Sequence, residues 1–323
     1  MATDPEAAPV YPMNASITAD PSIEPHPDVT NPVLSFEDVT DCKRPTGIAD
    51  PFLAYENGVY HLFFEVLADD LNDPAIGHAV SDDGLEWQYD QIVLDNLGHA
   101  AYPHVFQWRD TWYMAPDSGA GSGIHFHGGF ARLYRADTFP TEWTLVARPV
   151  ARLGLVDPTI FSYKDTWYLI GGLFDGDSYY LGNCLYYADA PVNSEWHRHP
   201  ASPIHDPSSP GDRINRIARP GGRPIVADDH VDVFFQDCVR RYGDKVRAVR
   251  ITDLTRETYA DYELDCSPIV EAQLNGGWNH ETMHHVDAGL AYADVKNVVA
   301  VDGSPEDRSP GSIKTGIGLY HLA

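Results

Sequence analysis

The sequence predicts an all-β chain arranged as a five-bladed β-propeller, and three observations carry that prediction. A strand-turn-strand unit recurs, with corresponding positions at Asp50, Tyr102, Asp157 and Arg219, 52, 55 and 62 residues apart. A fixed period of roughly 40 to 60 residues marks a propeller, in which each repeat builds one radial sheet. Each copy is followed by a second pair of strand-like segments, which completes a four-stranded blade. Finally, 25 Pro and 26 Gly residues interrupt nearly every stretch long enough to propagate a helix.

Residues 1–32, rich in Pro, Ala and Asp, read as an extended N-terminal arm, and residues 33–323 as a single propeller domain. Blade one opens with IADPFLAYENGVYHLFFE (48–65), blade two with AYPHVFQWRDTWYMAPD (101–117), blade three with VDPTIFSYKDTWYLIGG (156–172) and blade four with ARPGGRPIVADDHVDVFFQD (218–237). Their turns, Glu56-Asn57-Gly58, Arg109-Asp110, Lys164-Asp165 and Asp228-Asp229, use residue types that tolerate a tight reversal between strands. The outer strand pairs fall at 76–94, 130–150, 184–204 and 246–264. In three of them a Trp (Trp87, Trp143, Trp196) precedes the last strand, where an aromatic can seal the seam between neighbouring sheets. A fifth, degraded unit spans 280–303 and needs an outer strand, for which 315–322 is the candidate.

The chain has 323 residues and no apolar run long enough to span a bilayer, so it is expected to be soluble and globular. Its formal charge of -26 repels nucleic acid and anionic lipid, so neither is expected as a partner. Only five lysines are present (Lys43, Lys164, Lys245, Lys296, Lys314). This acidic, lysine-poor surface is similar to that of haloarchaeal proteins, where carboxylates keep the surface hydrated in molar salt. The opening residues show no basic segment followed by an apolar one, which places the protein in the cytoplasm as an expectation. Cys42, Cys184, Cys238 and Cys266 lie far apart without a CxxC pair, and buried free thiols are expected.

The innermost strands of a propeller line one central channel, so equivalent positions from different repeats meet in one pocket. Alignment brings together Asp50, Tyr102, Asp157 and Arg219, with His284, His285 and Asp287 from the fifth unit; His104 follows Tyr102 on the same strand. The second strands add Glu65, Asp117, Gly172, Gln236 and Asp237. Carboxylates, an Arg, a Tyr and His residues in one funnel form a polar constellation that a purely structural core does not need.

Here a resemblance can be named. The ADPF at 49–52 and the VDPT at 156–159 resemble the five-bladed glycoside hydrolases of the family 43 and 32 type. ADPFL with FFE, HAAYPHVF with YMAPDS, ARLYRADTFPTEW, and FFQDCVRRYGDKV leading into RITDLT are similar to propeller domains resembling the N-terminal domain of plant glucosamine inositolphosphorylceramide transferase. The hydrolase resemblance implies a glycan substrate, Asp50 as general base and Asp157 as the residue that orients the site and raises the pKa of the acid.

The family 43 type places its acid, a Glu, at the opening of the fourth blade, and this chain departs there, with Arg219-Pro220-Gly221-Gly222. Asp117 is the first choice of acid, ahead of Glu281, Glu65, Asp237 and His285. Tyr102, His104, Arg219, Gln236, His284 and the remaining candidates are expected to contact substrate. No cofactor is required; a structural calcium, which related propellers carry, would find His285 or Asp287. His125-Phe126-His127 and His197-Arg198-His199 lack the third ligand of a catalytic metal and read as surface histidines. The expected activity is glycoside hydrolysis, with glycan binding without hydrolysis, or transfer or phosphorolysis from the same pocket, as alternatives. The loops at 118–129 and 205–216 are expected to cover one face of the channel.

Overall fold

A computed structural model describes residues 20–71, 73–95, 98–119, 129–173, 182–205, 216–293, 295–306 and 314–323. Five radial sheets surround a central channel. Blade one runs outward through Pro45–Glu56, Val59–Ala68, Ala75–Ser81 and Gln88–Leu94, all antiparallel. Blade two consists of Ala100–Trp108, Thr111–Ser118, Gly129–Thr138 and the first part of Glu142–Tyr163. That 22-residue strand passes inward and its last part, paired with Thr166–Leu173, opens blade three, which continues through Asn183–Ala188 and His197–Arg198. Blade four contains Ile225–Val226, Val231–Asp237, Lys245–Leu254 and Tyr259–Glu263.

Blade five differs from the expectation. Its strands Val286–Asp287, Val299–Gly303 and Gly316–Leu322 are closed on the outside by Ile23–Pro25, from within the segment read as an arm. Leu34–Ser35 pairs with the inner part of Gly316–Leu322, and between these two contacts the Asn31 side chain accepts from Leu319 N–H (2.8 Å) and donates to Leu319 C=O (2.9 Å). The start of the chain thus covers the backbone edge that the last strand would leave unpaired. Residues 1–19 lie outside the described residues.

Period-two alternation explains the ring. On blade one, Leu53, Leu62, Phe64 and Ala79 pack toward blade five, while Phe52, Ala54, Phe63 and Ile76 pack toward blade two. Both faces of each strand are buried against another blade, so the strands read as nearly continuous apolar runs. Five apolar clusters fill the seams between neighbouring blades, and the last of these seams, between blades five and one, closes the circle. Trp143 lies edge-on to Phe63 across the first of these seams, as expected of a sealing aromatic. Asn57-Gly58, Arg109-Asp110 and Lys164-Asp165 all have positive φ at both residues, the type I′ geometry whose twist matches a hairpin.

The thiols differ from the expectation in burial only: Cys184 is buried, Cys42 and Cys238 half-buried and Cys266 exposed, and none of the four is in a disulfide. Of the two His-X-His runs, the first lies outside the described residues. In the second, His199 is no surface residue, since its ring accepts from Ala201 N–H and bonds Thr255 C=O (2.8 Å). Among the described residues no helix is long and apolar enough to cross a membrane.

Candidate active site

Three inner strands carry the same irregularity at the same place. The pairing register shifts between Ala49 and Phe52, between Ala101 and His104, and between Val156 and Thr159. Inside each bulge one residue before a Pro adopts a left-handed conformation: Asp50 (φ 54°), Tyr102 (φ 47°) and Asp157 (φ 51°). A bulge re-aims its side chain out of the ladder, so the repeated X-Pro step presents a polar residue from each blade. Ala49 pairs with Glu65, Ala101 with Asp117 and Val156 with Gly172, which puts the second-strand set at the same depth as the first.

Two ion pairs organise the floor. Arg219 grips Asp157 with two parallel hydrogen bonds, through Nε and through Nη2 (3.0 Å). Gly172 makes this close approach feasible, because a Cβ there would stand 2.8 Å from Arg219 Cβ. His284 Nδ1 lies 2.7 Å from Asp302 Oδ2, and Asp302 accepts the backbone N–H groups of Asp50, His284 and His285. Asp50 Oδ1 stands 3.7 Å from His284 Nδ1 and 3.5 Å from His285 Nδ1, beyond ordinary hydrogen-bond length.

Burial and charge drive the carboxyl groups apart. Burial pushes Asp50 up, but His285 and His284 outweigh it and hold its carboxylate below the ordinary range. Burial, reinforced by the charge of Asp50, pushes Glu65 well above its usual value; burial and the charge of Asp157 do the same to Asp117. Asp157 is raised to about 6, since burial exceeds the opposing pull of Arg219. His284 rises to about 9 because Asp302 and Asp50 overcome its burial, and Asp302 falls to about 2 beside it. Near neutral pH the pocket therefore holds an ionised Asp50 beside an imidazolium, with Glu65 and Asp117 both pushed toward their protonated forms.

Several expected contact residues serve the scaffold instead. The Tyr102 hydroxyl accepts from Gly222 N–H (3.0 Å) and bonds Thr159 Oγ1 (2.9 Å), tying blades two, three and four. His104 lies beneath the site with Nε2 bonded to Ile160 C=O, and burial followed by Arg223 lowers it to about 3. Gln236 donates to Pro220 C=O and Asp157, behind the pocket wall. Asp237 is paired with Arg247 (2.6 Å) and accepts from Val239 N–H, and Glu281 is half-exposed at the rim, 3.9 Å from Arg241. Asp287, the expected calcium ligand, has both oxygens taken up by Arg223, Leu53 N–H and Gly289 N–H. A cation would have to displace Arg223 there. Asp50, His284 and Asp302 are close enough to share an ion, and His284 Nδ1 there faces Asp302 Oδ2 at 2.7 Å. Most of the two expected covering loops, 120–128 and 206–215, lies outside the described residues.

Three residues of the site were not foreseen. Asp302 occupies on the fifth blade the position of Glu65 and Asp117, and extending the repeat alignment to its second strand, VAVDG, would have found it. Tyr242 lies over Arg219, 5.6 Å from guanidinium carbon to ring centre, and edge-on to His284. His99, just before the second inner strand, is lowered to about 4 by burial and by Arg219.

Comparison with known proteins relates the chain to two groups, one by fold and one by sequence. In fold, the chain is similar to a β-1,2-mannobiose phosphorylase from Listeria innocua (TM-score 0.67, 13% identity, covering 93% of this chain and 96% of the other). It is similar also to a glycosyl hydrolase from Bacteroides ovatus (TM-score 0.65, 13% identity, 95% and 96%). In sequence, it is 31% identical over 296 residues to glucosamine inositolphosphorylceramide transferase 1 of Oryza sativa subsp. japonica, an alignment covering 90% of this chain and 37% of that protein. Residues 9–304 match the family model described as glucosamine inositolphosphorylceramide transferase 1, N-terminal. The chain therefore belongs to the family of glucosamine inositolphosphorylceramide transferase 1 N-terminal domains.

Proposed function

We propose that the central pocket hydrolyses a glycosidic bond, with Asp50 as general base and Asp117 as general acid. The observation that carries this reading is the divergence of carboxyl groups in one pocket: Asp50 is held below the ordinary carboxylate range by the neighbouring histidines, while burial pushes Asp117 and Glu65 well above it. Environments that separate two carboxyls in this way assign the acid and the base. Asp50 takes a proton from water, the water oxygen bonds to the anomeric carbon, the glycosidic C–O bond breaks, and the leaving oxygen takes the Asp117 proton. Asp157, fixed by Arg219, raises Asp117 through its charge. Oxygen atoms without a hydrogen-bond partner on Asp50 and Asp117 are acceptors that suit the hydroxyl donors of a sugar.

Phosphate as the attacking group is the weaker alternative, because the cations Arg219 and His284 are already paired with Asp157 and Asp302. Transfer to an alcohol acceptor needs the same acid and base and differs only in what replaces water. The charge of -26 and five lysines support a salt-adapted setting, so assays belong in molar KCl.

The test is a screen of aryl glycosides and disaccharides with the wild type, Asp50→Asn and Asp117→Asn. Asp50→Asn is expected to lose about 10²- to 10⁴-fold in turnover. Asp117→Asn should lose most on poor leaving groups and least on dinitrophenyl glycosides, which need no proton. Saturable binding without turnover in the wild type would overturn hydrolysis in favour of binding alone, and a glycosylated alcohol in place of free sugar would favour transfer.

A further inference from the structure

The turn between the second and third strands of blade four, residues 238–244, stands at the pocket. Gly243 (φ 57°) presses against His284, where a Cβ would meet its ring at 2.6 Å, so the turn is seated directly on a site residue. Asp237 anchors the turn from below through Val239 N–H, and Arg240 bonds Asp244 (2.7 Å) across it. Held in this way, the turn presents Tyr242. Its ring has the Arg219 guanidinium over it and His284 at its edge, yet 46% of the residue is open to solvent. Among the described residues its hydroxyl makes no hydrogen bond within the chain. The charges of Asp50, Asp157 and Arg219 all act on it. A large aromatic residue half-open to water while touching two buried ionic residues belongs to a pocket wall.

We propose that Tyr242 is the stacking platform for the sugar ring, and that the unit it holds is a pyranose. A chair pyranose offers one flat face of C–H groups, which an aromatic face covers without needing a hydrogen-bond code, while hydroxyl groups around the ring edge reach the acceptors of Asp50 and Asp117. A furanose, puckered and smaller, covers the ring less completely. This inference rests on the carbohydrate reading of the pocket, but Tyr242 touches no bond that breaks: it acts as a binding residue, whether the pocket hydrolyses, transfers or only binds.

The test measures binding separately from turnover. Methyl pyranosides of glucose, mannose, galactose and glucosamine, with methyl arabinofuranoside as the contrasting ring, are titrated by calorimetry and by saturation-transfer NMR. The proteins are the wild type, Tyr242→Phe, Tyr242→Trp and Tyr242→Ala. At least one pyranoside is expected to bind; Tyr242→Ala should weaken it about tenfold with an unchanged melting temperature, while Tyr242→Phe and Tyr242→Trp hold it within about threefold. Where a substrate is found, the alanine variant should raise KM and leave kcat nearly unchanged. Equal affinity in Tyr242→Ala, preference for the furanoside, or no binding of any pyranoside by the wild type overturns the platform. Tyr242-dependent binding with no cleavage of any glycoside instead leaves the platform standing and overturns only hydrolysis.

Discussion

The left-handed backbone at Asp50, Tyr102 and Asp157 costs about 1–3 kcal/mol per residue, and a scaffold repeats such strain only where it is over-determined by its surroundings. Asp50 and Asp157 were legible because an Asp before Pro recurs in aligned repeats. Tyr102 shares their backbone but has a hydroxyl within reach of Thr159 and Gly222, a difference made by the neighbouring blade and invisible along one strand. Tyr242 escaped because turns carry no period. The charge state of Asp50 also depends on partners from blade five. His284→Gln removes a cation beside it, so the acid limb of the pH profile of kcat/KM is expected to move to higher pH. The same variant tests stability. With a pKa raised from 6.5 to about 9, His284 stabilises the fold fully below pH 6.5 and loses that contribution as pH rises through 9. The wild type should therefore lose melting temperature over that interval and His284→Gln should not; parallel curves would remove His284 from the charge balance.

At the scale of elements, hairpins were read correctly because each is local: two apolar strands and a turn of residues that accept positive φ. Pairing between the ends of the chain has no such signature. Ile23–Pro25 is three residues long and pairs with Tyr320, His321 and Leu322, almost 300 positions away, so composition alone makes it look like a tail. Its removal is a direct check on ring closure. Deleting residues 1–26 exposes the edge of Gly316–Leu322 and is expected to cost roughly 2 kcal/mol, a fall of about 3 °C in melting temperature for a chain of this length, with increased self-association. An unchanged melting curve would mean that Asn31 and Leu34–Ser35 close the blade by themselves.

For the whole molecule, the charge of -26 weighs on a ring whose seams are apolar. Raising KCl from about 0.1 M to 2 M shortens the reach of repulsion from roughly 10 Å to 3 Å or less, and the melting temperature is expected to climb across that range. A flat or falling curve would count against salt adaptation. The axis holds one more consequence. Arg223, from blade four, crosses the centre to Asp287 on blade five and to the carbonyls of Leu53 and Val105 on blades one and two. The tunnel of the ring is thereby corked, and what lies above the cork is a cul-de-sac. A polysaccharide cannot be threaded along the axis past Arg223. Whatever enters the space above Arg223 must leave on the side by which it came.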